Sequence, residues 1–370
     1  MSIDECYPET QGTAQHSDQN NPQKELLERY FAMAPVRQSC VALQDALSNW
    51  TAEDLIKEEA EYGAFNGFQL QEQLLNATVL SSHRQPDLSY RKKFLKMLMD
   101  QAPIVENSLW HMTRCTTTLL LQVEAKGWEV LEEIWCIYSE LCRCETDGGE
   151  EGGYRTFILS DTINVSLIHH PLLISDGTTG LSTWDAAFHM VEWISQHPEI
   201  MNQKRVLELG CGSGLTGICL CKLIAPAQYV FSDCHSGVLR QLTNNLQINQ
   251  LVGSSTVKVC ELDWLTMMEQ DFSQLFPDVI LACDIAYDPD IIQAFFRVLC
   301  IFSRRCGSSL NIFVASKNRS ARTSAFFHET AESCGWKAEP QKMDDAQYKV
   351  FPSFVYDSQD CIIFNLVRSR

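Results

Sequence analysis

No apolar run in this 370-residue chain reaches the ~20 residues a membrane-spanning helix requires, so no transmembrane segment is expected. Positive charge is also in short supply. Twenty-nine Lys and Arg stand against 47 Asp and Glu, a net charge of −18, which argues against a protein that grips nucleic acid through its phosphates. An acidic surface suits a basic protein substrate instead, although most such charge simply solvates. Zinc-type cysteine spacing is missing too. Sixteen cysteines are scattered through the chain, and the tightest pairs, Cys142 with Cys144 and Cys219 with Cys221, have neither the C-x-x-C spacing nor a matching second pair. No metal site is expected. The opening residues Met1 to Asn21 are polar and acidic, without the apolar core of a secretory signal, so reduced thiols and a cytoplasmic location are expected.

What is present is the composition of an ordinary globular chain, 45% hydrophobic and 21% charged, long enough for two domains or one domain with an extension. Residues 1–22 lack apolar periodicity and read as a disordered tail. Residues 23–145 read as a helical region. Leu26, Leu27, Tyr30 and Phe31 fall at helical spacing, as do Leu43, Leu47 and Trp50, and the stretch from Leu119 through Trp128, Leu131, Ile134, Trp135 and Leu141 predicts one or two strongly buried helices. Nothing in this region carries catalytic chemistry; its expected role is packing, or partner recognition. Residues 146–153, TDGGEEGG, read as an acidic glycine-rich linker.

From residue 154 to 370 strands and helices alternate. A β-hairpin is expected between Phe157 and Ile174, with His169 and His170 at a turn rather than on a metal. Thr183 is a candidate N-cap for a helix whose apolar side carries Ala187, Met190, Val191 and Trp193. Strands follow at 206–209, 229–231, 257–259, 278–283 and 310–314, with helices between them. Val350–Phe354 and Cys361–Val367 close the pattern as an antiparallel pair. This alternation predicts an α/β fold, a mostly parallel Rossmann-like sheet with helices on both faces, and ligands in such sheets bind at the carboxyl ends of the strands.

The stretch Val206-Leu207-Glu208-Leu209-Gly210-Cys211-Gly212-Ser213-Gly214 organises that domain. A buried strand runs into three alternating glycines, which permit a sharp turn and close ligand approach, and a helix N-terminus follows with free N–H groups. The dinucleotide fingerprint G-x-G-x-x-G fails here, because its sixth position is Leu215. Glu208 before a G-x-G-x-G resembles motif I of the S-adenosylmethionine-dependent methyltransferases, whose cofactor has no pyrophosphate. Three further acids sit at expected strand ends. Asp233, 21 residues after Gly212, can accept both ribose hydroxyls, or else cap the next helix before His235. Asp263 can take an adenine amino group while Trp264 packs on the ring. Asp284, after Cys283 and before Ile285-Ala286-Tyr287, ends the fourth strand at the mouth of the site, or else is a capping carboxylate after that strand.

Together with Gly177-Thr178-Thr179-Gly180, Thr183-Trp184-Asp185-Ala186-Ala187 and Phe231-Ser232-Asp233-Cys234-His235-Ser236, these residues resemble the seven-β-strand protein lysine methyltransferases, most closely the family that acts on eukaryotic elongation factor 2. The resemblance is strong over residues 154–300, weaker over 24–144 and near the C-terminus, and absent from the first 22. It implies a seven-stranded methyltransferase sheet, S-adenosylmethionine as cofactor and elongation factor 2 as the protein substrate, methylated up to trimethyl-lysine. It also implies cofactor contacts from Trp184, Gly210, Gly212, Asp233, Trp264 and Cys283, to which the reading of the motif and strand ends adds Glu208, Gly214 and Asp263 as expected cofactor-binding residues. Asp284 and Tyr287 would be the catalytic pair, Asp284 orienting the lysine ammonium and Tyr287 packing on its stem or on the cofactor. Two other functions compete. A base-amino methyltransferase would need an Asn/Asp-Pro-Pro-aromatic run where Asp284-Ile285-Ala286-Tyr287 stands, and a basic face for phosphates. A non-catalytic cofactor-binding protein would not need the whole set of glycine loop, Asp233, Trp264 and Asp284.

Overall fold

The computed structural model describes residues 22–34, 39, 68–81, 84–113, 130–143, 152–160, 162–170, 178–266, 268–343, 349–351 and 356–369, with backbone alone at 22–24, 68–70, 101–113, 271 and 308. The chain divides into two compact units, Met1–Asn164 and Val165–Arg370.

The first unit holds four described helices, α1 (Pro22–Phe31), α2 (Phe68–Ala77), α3 (Leu88–Thr113) and α4 (Glu132–Arg143), and the strand β1 (Gly153–Ile158). The spacing of Leu26, Tyr30 and Phe31 produces α1 as expected, and these side chains are buried with Leu75, Phe94, Leu95 and Ile134. The Tyr30 ring lies 4.6 Å from Phe94, and its hydroxyl donates to Gln85 Oε1 at 2.7 Å. Helix α4 departs from the expectation of strong burial: Ile134 alone among its residues is buried, and Trp135 is 51% exposed. The residues 119–128 thought to share that burial, and Leu43, Leu47 and Trp50, lie outside the described set. So do residues 1–21 and most of the glycine-rich stretch. Its last glycine is not a spacer. Gly153 opens β1 where a Cβ would sit 2.1 Å from the backbone nitrogen of Asp87, so only glycine allows the two backbones to meet there.

After β1, the Leu159 and Ser160 N–H groups donate to the Ile163 carbonyl, closing a turn before β2 (Asn164–His169), whereas the expected hairpin has its turn at His169 and His170, and its residues 171–174 lie outside the described set. His169 ends β2 rather than sitting beyond it. The second unit then continues as α5 (Asp185–Gln196), β3 (Arg205–Leu209), α6 (Leu215–Leu223), β4 (Gln228–Asp233), α7 (Ser236–Ile248), β5 (Val257–Glu261), β6 (Val279–Cys283), α8 (Pro289–Cys306), β7 (Asn311–Lys317), α9 (Ala321–Ser333), β8 (Trp336–Gln341) and β9 (Cys361–Arg368). Seven strands form one sheet in the order β5-β4-β3-β6-β7-β9-β8. The strands β3 to β7 are parallel, and β9 runs antiparallel to β7 and β8. The expected α/β methyltransferase-type sheet is therefore observed.

One strand was misplaced by the sequence pattern. β9 pairs antiparallel with Trp336–Gln341 as well as with β7, whereas Val350 and Phe351 of the expected partner are not in a strand and residues 352–354 lie outside the described set. The alternation of β8 is muted by Lys337, Glu339 and Pro340, which an edge strand tolerates. Val350 and Phe351 are buried for another reason. Their N–H groups donate to the buried carboxylate of Glu192 on α5 at 2.8 and 3.1 Å.

Strand order fixes the site. From β3 the chain moves outward to β4 and β5, then returns to the other side of β3 for β6 and β7. Connections leaving the carboxyl ends of β3 and β6 therefore diverge, and the crevice between them is where ligands bind in such sheets. Val206, Leu207, Glu208 and Leu209 are all buried, as a central parallel strand covered on both faces requires.

Candidate active site

A cavity of about 610 Å³ opens at this crevice, within the range that holds a small-molecule ligand. Its wall includes Trp184, Glu208, Gly210, Gly212, Asp233, Asp263, Trp264, Cys283, Asp284 and Tyr287. Ten of the eleven site residues expected from the sequence are thus brought together. Gly214 is not among them.

The glycine loop leaves β3 with positive φ at Gly210 (69°), Gly212 (53°) and Gly214 (86°), a conformation that L side chains rarely adopt. At Gly212 space is short as well, since a Cβ would lie 2.9 Å from the Gly180 carbonyl oxygen. Gly214 is the N-cap of α6 and turns towards Leu242, away from the cavity. Its contribution is the shape of the loop. Helix α7 secures that shape: the buried Asn245 donates from Nδ2 to the Ser213 carbonyl at 2.9 Å and accepts the Ile168 N–H on Oδ1 at 2.9 Å.

Glu208 lines the cavity, but its carboxyl is engaged in the scaffold. It accepts the Tyr229 hydroxyl at 3.0 Å, with the Thr216 hydroxyl and Gly217 N–H of α6 as further donors. Burial, opposed by those donors, pushes it up to about 8. At neutral pH it is a mainly neutral anchor between β3, β4 and α6, rather than a free charge.

Asp233 ends β4. Its Oδ2 accepts the Gly212 N–H at 3.1 Å, and its Oδ1 accepts the His235 N–H at 3.2 Å. Both anticipated roles are compatible, because each carboxylate oxygen keeps a lone pair for a hydroxyl. Asp263, past β5, accepts the Leu265 N–H at 2.9 Å and the Thr266 hydroxyl at 2.7 Å. Trp264 is buried against Phe295, and its benzo edge lies beneath Gly210, where a Cβ would come within 3.3 Å. Its indole Nε1 is buried without a hydrogen-bond partner, as is His235 Nδ1 on the same wall. Native proteins rarely leave such groups unpaired. A flat ligand between the glycine loop and Trp264 fits the cradle that the missing Cβ of Gly210 leaves.

Trp184 is the N-cap position of α5, one residue later than the Thr183 expected from the sequence. Its indole N–H donates to the Thr179 carbonyl at 3.3 Å, which fixes the ring over the cavity. The Cys283 thiol lies 3.6 Å from Thr216 Oγ1, and burial raises it well above the usual thiol range. It is therefore an uncharged, nearly apolar wall element. Tyr287 is 63% exposed at the mouth.

Asp284 follows β6 with φ of 55°, and its N–H donates to the Ala315 carbonyl at 2.8 Å. A left-handed non-glycine residue carries strain, which Asp bears better than most. Here the conformation puts the carboxylate on the cavity wall. The sequence pattern gave no hint of its partner. Arg319, after β7, holds the Asp284 carboxylate at 2.6 Å and lies over the Trp184 ring at 5.1 Å. No motif marks this arginine, although a cation just past a fifth parallel strand is placed to face the other strand ends.

A protein-family model described as lysine methyltransferase matches residues 173–333. The chain is 34% identical over 253 residues to the Homo sapiens protein-lysine N-methyltransferase EEF2KMT, covering 65% of this chain and 74% of that protein. It is 34% identical over 222 residues to EEF2KMT of Mus musculus, covering 57% and 64%. It is also 34% identical over 167 residues to the protein-lysine N-methyltransferase EFM3 of Chaetomium thermophilum, covering 42% and 50%. The cavity, with its carboxylates at successive strand ends, thus lies in a chain that belongs to the EEF2KMT family of protein-lysine N-methyltransferases.

Proposed function

We propose that this protein transfers methyl groups from S-adenosylmethionine to a lysine of eukaryotic elongation factor 2, in the cytoplasm. The observation that carries this reading is the position of Asp284, whose carboxylate stands in the same cavity as the glycine loop, Asp233 and Trp264. Family membership supports the acceptor, since the relatives bear the name of elongation factor 2 lysine methyltransferase. No described helix is long and apolar enough to cross a membrane, and the net charge of −18 suits a basic acceptor better than a phosphate backbone.

When bound, S-adenosylmethionine supplies an already activated sulfonium methyl. Asp233 accepts the ribose hydroxyls, and Asp263 takes the adenine amino group. Trp264 packs on the purine, Gly210 and Gly212 allow close approach, and Trp184 and Cys283 close the wall. Glu208 and Gly214 act through the loop they hold. The protein would then have to deliver a neutral amine to that methyl, and positioning can supply a large share of the lowered barrier. A free lysine has a pKa near 10.4, so neutralising it near pH 7.4 costs about 4 kcal/mol. Leaving water for the cavity lowers that cost. Asp284 draws the ammonium in and orients it, water carries off the released proton, and Tyr287 packs on the aliphatic stem.

The test is transfer of labelled methyl from S-adenosylmethionine to purified elongation factor 2, with bulk RNA as a rival acceptor. Label on elongation factor 2 supports the reading. Label on RNA, or on neither despite cofactor binding, overturns it.

A further inference from the structure

Arg319 occupies the place that the proposed chemistry reserves for the substrate. Its Nη1 donates to Asp284 Oδ1 at 2.8 Å, and its Nη2 lies 2.6 Å from Oδ2. Both oxygens are therefore engaged by one guanidinium, in the forked geometry that arginine and carboxylate share. The only other donor recorded on that carboxylate among the described residues is the Lys317 N–H, at 3.5 Å.

The pair is covered unequally. The Asp284 side chain is 7% exposed and that of Arg319 44%, so the cation lies on the outer side of the carboxylate. A lysine ammonium approaching Asp284 from solvent meets a like charge on the group it needs. The arginine has somewhere to go. It springs from the short connection between β7 and α9, its guanidinium carbon is already 5.1 Å from the Trp184 ring centre, and the Asp185 carboxylate is near enough to raise its ionisation further. The aromatic face can receive the displaced charge, whereas the Asp185 carboxylate is already paired with Lys317 at 2.7 Å.

We infer that Arg319 is a specificity-determining latch, which holds Asp284 in the substrate-free protein and must be displaced by the acceptor lysine. The inference rests on the proposed lysine transfer. Displacement costs binding energy that a lone amine or a short flexible peptide cannot return. A folded acceptor with many other contacts can return it, so the latch selects lysines presented on a protein surface.

The test compares methyl transfer by the wild-type protein, Arg319→Gln and Arg319→Lys, on elongation factor 2 and on a short lysine peptide. Removing the cation is expected to lower KM for elongation factor 2 at least about fivefold, with a smaller change in kcat, and to bring the peptide into use. Arg319→Lys, a single-pronged cation, falls between the two. An unchanged or raised KM in Arg319→Gln, with kcat lost, would show Arg319 to be a fixed support of Asp284 and overturn the latch alone. A wild-type protein that binds S-adenosylmethionine yet methylates no lysine overturns the proposed function and the latch with it.

Discussion

Gly212 and Asp233 are joined directly: the backbone N–H of the glycine turn donates to the carboxylate at the end of the neighbouring strand across 3.1 Å. One contact thus fixes the backbone that must approach the cofactor relative to the acid that must accept its ribose. Asp233→Ala removes both functions. Its S-adenosylmethionine Kd is expected to rise about 10- to 100-fold, the worth of one or two hydrogen bonds to a charged group. Calorimetric titration checks this, and an unchanged Kd would take Asp233 out of the binding site.

Asn245 ties α7 to the Ser213 carbonyl and the Ile168 N–H. Asn245→Ala leaves the buried Ser213 carbonyl and the half-buried Ile168 N–H without that partner, and is expected to cost about 1–3 kcal/mol of stability. Urea unfolding measures it. A cost below about 0.5 kcal/mol, the range of ordinary surface substitutions, would mean that the loop is held by other contacts.

The sheet and most of the site were legible because apolar strands, glycine punctuation and acids at strand ends are local patterns. Asp284 directly follows the apolar run of β6 and Asp233 closes β4 behind Tyr229-Val230-Phe231, while Asp263 and Trp264 stand just past the alternating Val257 and Val259 of β5, and the parallel sheet does the rest. What could not be read depends on distant partners. β8 is polar and carries Pro340, so it gives no alternating signal, and Val350 borrows its burial from Glu192 on α5. Arg319 matters because the β6–β7 pairing brings it to Asp284 across 35 positions of sequence. Gly153 looked like linker composition, and only the approach of Asp87 reveals why glycine is there.

Glu208 makes stability depend on pH. Its ordinary value is 4.5, and burial raises it to about 8 in the folded protein. Between these values the native state keeps a proton that the unfolded chain has released. The stability this contributes is fully present below about pH 4.5 and is lost as pH rises through about 8. Glu208→Gln removes the titration while keeping a neutral side chain of similar shape. The Tm of the wild type is therefore expected to fall relative to that of the variant between about pH 5 and 8.5. Parallel Tm curves would show that Glu208 is ionised throughout.

Cys283 lines the cavity as a thiol that burial holds protonated. Iodoacetamide at neutral pH is expected to modify exposed Cys136 and Cys142 well before Cys283, as peptide mapping would show. Early modification of Cys283 would contradict its description as an inert wall element. Cys283→Ala is expected to leave the KM for S-adenosylmethionine within about threefold, because a buried free cysteine behaves as a small hydrophobe.

The most direct test of lysine transfer at Asp284 is mass spectrometric mapping of elongation factor 2 after incubation with S-adenosylmethionine and either the wild-type protein or Asp284→Ala. Methyl increments confined to lysine are predicted with the wild type. At least a hundredfold less is predicted with the variant while its S-adenosylmethionine Kd stays within about threefold, since Asp284 serves the acceptor and not the cofactor. Undiminished lysine methylation by Asp284→Ala would contradict that role.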